Sequence, residues 1–216
     1  MTNKIKQYPA PWDLNGKGYI IIYKLSKDFV DKYACTPNFL KGNFLGGFGA
    51  LMLVDYKNSN AGPYGEMLFI PGKFRYKNKR LNTISKIYVS TMESVVNGRN
   101  NWGIPKEKAD FNFEKLDSNI ENICVFTNNT NIAKFKIKTG KLQFPVSTKL
   151  MPFPLVQEYN DKIYYTNFYG SGTGRLCSIK DIQINADMFP CIDKCKPLLA
   201  IKVDPFNITF PEANIE

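Results

Sequence analysis

The chain has 216 residues, 44% hydrophobic and 22% charged, which excludes a disordered chain and leaves room for one sizeable core. Lys and Arg number 29 against 19 Asp and Glu, a net charge of +10. That balance favours anionic partners in general, but the lysines are scattered rather than blocked. Histidine is absent, which excludes His-dependent triads, His general bases and the common His-containing zinc sites.

Met1 to Pro11 lacks the apolar stretch of a secretory signal. No run approaches the ~18 apolar residues of a spanning helix. A cytoplasmic protein without membrane contact is therefore expected. The five cysteines, Cys35, Cys124, Cys177, Cys191 and Cys195, are odd in number and irregular in spacing. They read as free or buried thiols, with a Cys191–Cys195 disulfide as the alternative. Asn128-Asn129-Thr130 and Asn207-Ile208-Thr209 match the glycosylation sequon but carry little meaning without a signal.

Strand patterns dominate. Tyr19 to Leu25 is a β-branched and aromatic run bounded by Gly16 and Gly18. Ser26 offers a helix N-cap with Asp28 in the first turn; Phe29, Val30 and Tyr33 fit one face, and Pro37 stops the helix. Gly47 to Tyr56 reads as a strand, and Glu66 to Lys77 as a long one interrupted near Pro71-Gly72. Leu81 to Thr91 reads as another, followed by a short helix over Met92 to Val96.

From Asp110 the pattern becomes a meander: Asp110 to Glu114, then Ile132 to Lys138 and Leu142 to Val146 as a hairpin turning at Gly140. Lys162 to Tyr169, Ile179 to Ile184 and Leu198 to Val203 complete the strands. Many short strands with few helices imply an α+β, mainly antiparallel sheet or barrel. No repeat or low-complexity linker interrupts it, so residues 1–216 read as a single domain.

Three features invite a chemical reading. Gly170-Ser171-Gly172-Thr173-Gly174-Arg175 is neither a dinucleotide fingerprint nor a Walker loop, and reads as a flexible hairpin with a lid role. Lys73 to Arg80 reads as one strand with cations on one face and Phe74 and Tyr76 on the other. Single-stranded nucleic acid binders want both in one groove, so no nucleic-acid partner is expected.

Lys106 is the third. Pro105 fixes the backbone before it, Gly103 permits close approach, and Trp102, Ile104, Ala109 and Phe111 supply apolar surroundings. A free lysine is neutral in only about one molecule in 10³ at pH 7. Burial enlarges that fraction, and a neutral amine can attack a ketone to form a Schiff base. On pattern alone a surface lysine is the commoner reading.

The segment Gly98-Arg99 followed by Gly103-Ile104-Pro105-Lys106 resembles the active-site segment of the acetoacetate decarboxylase superfamily. Pro63-Tyr64-Gly65-Glu66 resembles the upstream segment that carries an active-site glutamate there, and Pro11-Trp12-Asp13-Leu14-Asn15-Gly16-Lys17-Gly18-Tyr19 the first strand entry of shorter members. The resemblance implies a closed, cone-like antiparallel sheet and a Schiff-base lysine at Lys106. It implies a small keto-acid or carbonyl substrate, a homo-oligomer, and no metal or organic cofactor. Decarboxylation of a β-keto acid is the first expectation. Aldolase or dehydratase chemistry on the same lysine is the alternative, as is a non-catalytic binding protein.

On this reading Lys106 and Glu66 are catalytic, and Arg99, Tyr64, Trp102, Tyr88 and Met92 line the substrate pocket. Arg99 is expected to position Glu66 or the local backbone, because gripping a substrate carboxylate would stabilise the ground state. Family decarboxylases place a second lysine directly after the first, whereas this chain has Glu107. In an extended segment Glu107 would point to the opposite face from Lys106.

Overall fold

The run Tyr19-Ile20-Ile21-Ile22-Tyr23 has no polar position, as expected of a strand covered on both faces. The computed structural model, which describes residues 5–128, 130–150 and 152–216, places it in β1 (Trp12–Tyr23) at the middle of a large sheet. Asn129 of the first sequon and residues 1–4 of the N-terminal segment lie outside the described residues.

The other strands are β2 (Phe44–Gly46), β3 (Gly49–Asn58), β4 (Tyr64–Ile70), β5 (Lys73–Tyr76), β6 (Lys79–Asn82), β7 (Lys86–Val89), β8 (Lys106–Lys108) and β9 (Asp110–Lys115). They continue with β10 (Ile120–Thr127), β11 (Thr130–Ser147), β12 (Leu155–Tyr159), β13 (Lys162–Thr166), β14 (Tyr169–Ile184), β15 (Leu199–Phe210) and β16 (Asn214–Ile215). Two α-helices, α1 (Lys27–Tyr33) and α2 (Met92–Trp102), and two 3-10 turns accompany them among the described residues.

Ten strands form one sheet in the order β8-β7-β4-β3-β1-β15-β14-β11-β10-β9. Its two edge strands, β8 and β9, are separated in the chain by Ala109 alone, whose N–H donates to Val89 O at 3.0 Å. A sheet whose edges meet at one residue must curl, and the strands wrap into a barrel-like half-cone. Glu121 on β10 confirms the curl by reaching Lys17 and Tyr19 on β1 and Lys202 on β15, strands well removed from it in the sheet order. A six-stranded sheet, β16-β13-β12-β6-β5-β2, packs alongside.

The pleat sorts the apolar residues into two cores. Tyr19, Ile21, Leu51, Leu53, Met67 and Phe69 face the inside of the curl. Trp12, Leu14, Val54, Leu68, Ile87 and Trp102 form a second cluster on the opposite face.

Several sequence expectations are corrected here. Ile132 to Val146 is one strand, not a hairpin: Gly140, Lys141 and Leu142 form a bulge between the pairs Thr139–Cys177 and Gln143–Arg175. Gly170 to Arg175 is neither hairpin nor lid. It opens β14 and pairs with both β11 and β15, and a side chain at Gly172 would lie 2.6 Å from Pro205 O, so glycine serves close backbone approach. Leu81 to Thr91 divides between β6 and β7, in different sheets. Lys73 to Arg80 is the β5–β6 hairpin rather than one strand, with Lys77 at φ 50°. Tyr33, assigned to the packed face of α1, is half exposed. Strands β10 and β12 were not expected. The five cysteines are free thiols, and no helix among the described residues is long and apolar enough to cross a membrane.

Candidate active site around Lys106

The local chain path explains the position of Lys106. Thr91 caps α2, its hydroxyl accepting from Ser94 N at 3.2 Å, and Glu93 complements the dipole in the first turn. The helix continues past Asn97-Gly98, longer than its propensity suggests, because Asn97 is held by tertiary contacts. Its amide donates to Glu93 O and Lys6 O at 2.9 Å each, and its side-chain oxygen accepts from Tyr8 N. Gly103 ends the helix in the left-handed region, φ 65°, with its N–H donating to Arg99 O. Pro105 then turns the chain into β8, which runs parallel to β7 with Lys106 beside Ile87. The unit β7–α2–β8 is thus a crossover that lays the Lys106 side chain beneath α2.

Gly98 makes that packing possible. A Cβ there would lie 2.6 Å from Lys106 Cδ and 2.8 Å from Cε. Arg99 fixes the backbone of the same residue, its Nε and Nη2 donating to Lys106 O at 3.0 and 2.5 Å. The arginine therefore positions the strand, one of the two roles anticipated for it.

Lys106 is 4% exposed, and its Nζ donates to Glu66 Oε2 and to Ser94 Oγ, each at 3.0 Å. The ammonium also sits 5.1 Å from the centroid of the Tyr64 ring. Glu66, on β4 between β3 and β7, is equally buried and accepts a further bond from Tyr56 Oη at 3.2 Å. The Tyr56 and Tyr64 rings pack 4.6 Å apart. Burial, reinforced by the nearby Glu66 charge, pushes both phenols well above their usual range. Tyr56 thus stays a proton donor toward Glu66. The result is a lysine, a carboxylate, a buried serine hydroxyl and two protonated tyrosines inside an apolar cluster. Removing either member of such a buried pair typically costs about 3–5 kcal/mol, because the other charge is left uncompensated.

The remaining pocket residues named from sequence separate in space. Trp102 is buried in the apolar cluster, donating its Nε1–H to Pro211 O at 2.7 Å and packing edge-on against Trp12. Tyr88 is on the opposite face of β7, its hydroxyl donating to Met188 O at 2.9 Å and its ring beside Phe189. Met92 opens α2 and is 41% exposed. The structure does not bring Tyr88 or Met92 to Lys106. Glu107 also faces away, exposed and paired with Lys86 at 2.6 Å. Ser94 and Tyr56 were missed. Ser94 carried a faint signal as the third residue after the Thr91 cap; nothing local marked Tyr56. Among the described residues no three His, Cys, Asp or Glu side chains gather as a metal site.

The model for the acetoacetate decarboxylase family matches residues 2–156 of the chain. No curated protein matches it by sequence. The fold is similar to the acetoacetate decarboxylase of Legionella pneumophila subsp. pneumophila str. Philadelphia 1, with a TM-score of 0.75 at 14% identity, covering 96% of this chain and 88% of that one. An acetoacetate decarboxylase-like enzyme from Sphingomonas wittichii RW1 gives a TM-score of 0.73 at 9% identity, covering 97% and 94%. The enduracididine biosynthesis enzyme MppR, solved in complex with pyruvate, gives 0.63 at 11% identity, covering 97% and 90%.

Proposed function

The chain belongs to the acetoacetate decarboxylase family, and from that membership we propose that it is a Schiff-base-forming lyase acting on a small keto acid, with Lys106 as nucleophile. The observation that supports this reading is the burial of Lys106 Nζ at 3.0 Å from both Glu66 and Ser94. Glu66 is within reach to take a proton from the ammonium, leaving a neutral amine. That amine attacks the ketone carbonyl, and the carbinolamine loses water with a proton returned from Glu66. The Tyr64 ring beneath the nitrogen favours the cationic iminium so formed.

For a β-keto acid the bond to the carboxylate then breaks. Its electron pair moves into the iminium, carbon dioxide departs, and an enamine remains. Protonation of the enamine carbon regenerates an iminium, which water hydrolyses to the ketone and free Lys106. Glu107 does not oppose this sequence from the amine's own side, since it points to the opposite face and pairs with Lys86.

The second reading is aldolase or dehydratase chemistry on the same lysine. It draws on the pyruvate-bound relative and on the missing second lysine. Reduction with borohydride in the presence of β-keto and α-keto acids, followed by digestion and mass spectrometry, tests both. A reduced adduct on Lys106 with released carbon dioxide supports the decarboxylase, and an adduct without it supports the second reading. A folded protein that traps none of the acids would sink both and leave a non-catalytic binding protein.

A further inference from the structure

A cavity of about 510 Å³ opens at one mouth of the curled sheet, on the face opposite Lys106. Its size suits a small molecule, and barrel mouths are a common place for such sites. Nothing in the chemistry at Lys106 uses it.

The cavity is built on a buried carboxylate. Glu121, 4% exposed, accepts from Tyr19 Oη at 2.6 Å, from Lys202 Nζ at 3.2 Å, and from Lys17 Nζ. These contacts cross the inside of the curl from β10 to β1 and β15, so the floor is rigid and already neutralised. Five cations line the cavity: Lys17, Lys115, Lys141, Arg175 and Lys202. Against them stand three carboxylates, Asp117, Glu121 and Asp204, a local excess of two positive charges. Asp117 is occupied with its own turn, accepting from Ser118 Oγ at 2.8 Å. Lys17 is shared between Glu121 and Asp55, and Lys202 between Glu121 and Asp204. Lys115, Lys141 and Arg175 form no ion pair among the described residues, and they come from three separate strands, β9, β11 and β14.

We propose that this mouth binds a small, multiply charged oxyanion, of the phosphate-bearing or polycarboxylate class, between Arg175, Lys115 and Lys141 above the Glu121 floor. Three cations converging on one concave space concentrate positive potential there; Arg175 contributes its fixed charge while the Gln143 side-chain oxygen, accepting from its Nε and Nη2, holds the guanidinium in place. The neutral groups of Asn119 and Thr139 on the same wall can complete the hydrogen bonding. Because the cavity lies across the sheet from Lys106, occupancy there does not compete with a keto acid at the lysine.

Isothermal titration calorimetry with inorganic pyrophosphate and with citrate, on the full chain, tests the site. Saturable binding at one site per chain is expected, weakened by added salt. Arg175→Gln, and separately the exposed Lys141→Gln, should weaken it by roughly tenfold or more. Glu121→Gln should tighten it by roughly threefold, since it removes one negative charge from the floor. Lys73→Gln, at an exposed side chain on β5 in the other sheet, should leave it unchanged. Binding of pyrophosphate alone assigns a phosphate-bearing ligand, binding of citrate alone a polycarboxylate, and binding of both a general oxyanion site. No saturable heat with either, or binding indifferent to both Arg175→Gln and Lys141→Gln, overturns the proposal.

Discussion

Gly98→Ala isolates the placement of the Lys106 amine from the stability of the fold. The added methyl carbon would lie 2.6 Å from Lys106 Cδ and 2.8 Å from Cε. Carbon contacts settle at ~3.5–4.0 Å, so the lysine stem must move by about 1 Å. Both Nζ hydrogen bonds stand at 3.0 Å, and such a shift carries them beyond hydrogen-bonding range. Removing a mid-helix glycine gains ~0.5–1 kcal/mol, while overpacking a filled site costs ~1–3 kcal/mol. The net loss of stability is therefore about 0–2.5 kcal/mol, a melting shift of at most roughly ten degrees for a chain of this size. A displacement of ~1 Å of a reacting group costs on the order of 10²-fold in rate. Borohydride trapping and carbon dioxide release, measured beside a thermal melt, read the two effects separately. A Gly98→Ala protein that traps keto acids and turns over as the parent does would refute the claim that this amine position is required.

Glu66→Gln keeps an acceptor for Lys106 but cannot take its proton, so turnover should fall by ~10²–10⁴-fold in steady-state assays. Lys106→Met should abolish trapping and also lower stability by ~3–5 kcal/mol, because Glu66 is left buried without its cation; the Lys106→Met, Glu66→Gln double variant should recover much of that loss in denaturant melts. Gly103→Ala forces a side chain into the left-handed region, φ 65°, and against the Tyr164 ring at 2.7 Å; we expect ~1–3 kcal/mol of destabilisation by urea unfolding. Burial pushes the Glu121 carboxyl up, but hydrogen bonds from Lys17 and Tyr19 and the charge of Lys202 outweigh it and hold the group below its usual range. A depressed folded pKa contributes stability above the unfolded value and loses it as pH falls through the folded one. Melting temperature should thus drop as pH is lowered below about 4.5, and Glu121→Gln should flatten that slope; an identical slope in the variant would remove Glu121 as its source.

Much of this molecule was legible in the chain. The continuous apolar and aromatic runs of β1, β3 and β4, the Ser26 cap and the break at Pro71-Gly72 are local signals, and they appear where expected. The start of α2 at Met92 was likewise local, but its continuation from Asn97 to Trp102 and its end at Gly103 were not expected from the sequence. Lys106 and Glu66 were singled out together, and the fold places them 3.0 Å apart although 40 residues separate them.

Other features have no local cause. Gly140 resembles a turn in sequence, yet β14 pairs with the chain on both sides of it and holds it in a bulge. The glycines from Gly170 suggest a mobile loop, but neighbouring backbones need their missing side chains. Tyr88 sits within reach of the motif in sequence, but one step of the pleat turns it to the other core. Ser94 and Tyr56 join the lysine only because α2 packs over β8 and because β3 and β4 pair in register. Apolar runs, capping and turn residues depend on neighbours a few positions away, so the sequence alone determined most of the central strands and the start of the helix that covers Lys106. Which side chains share a face, and what that face encloses, depends on how distant strands pair and curl, and only the tertiary structure decided it.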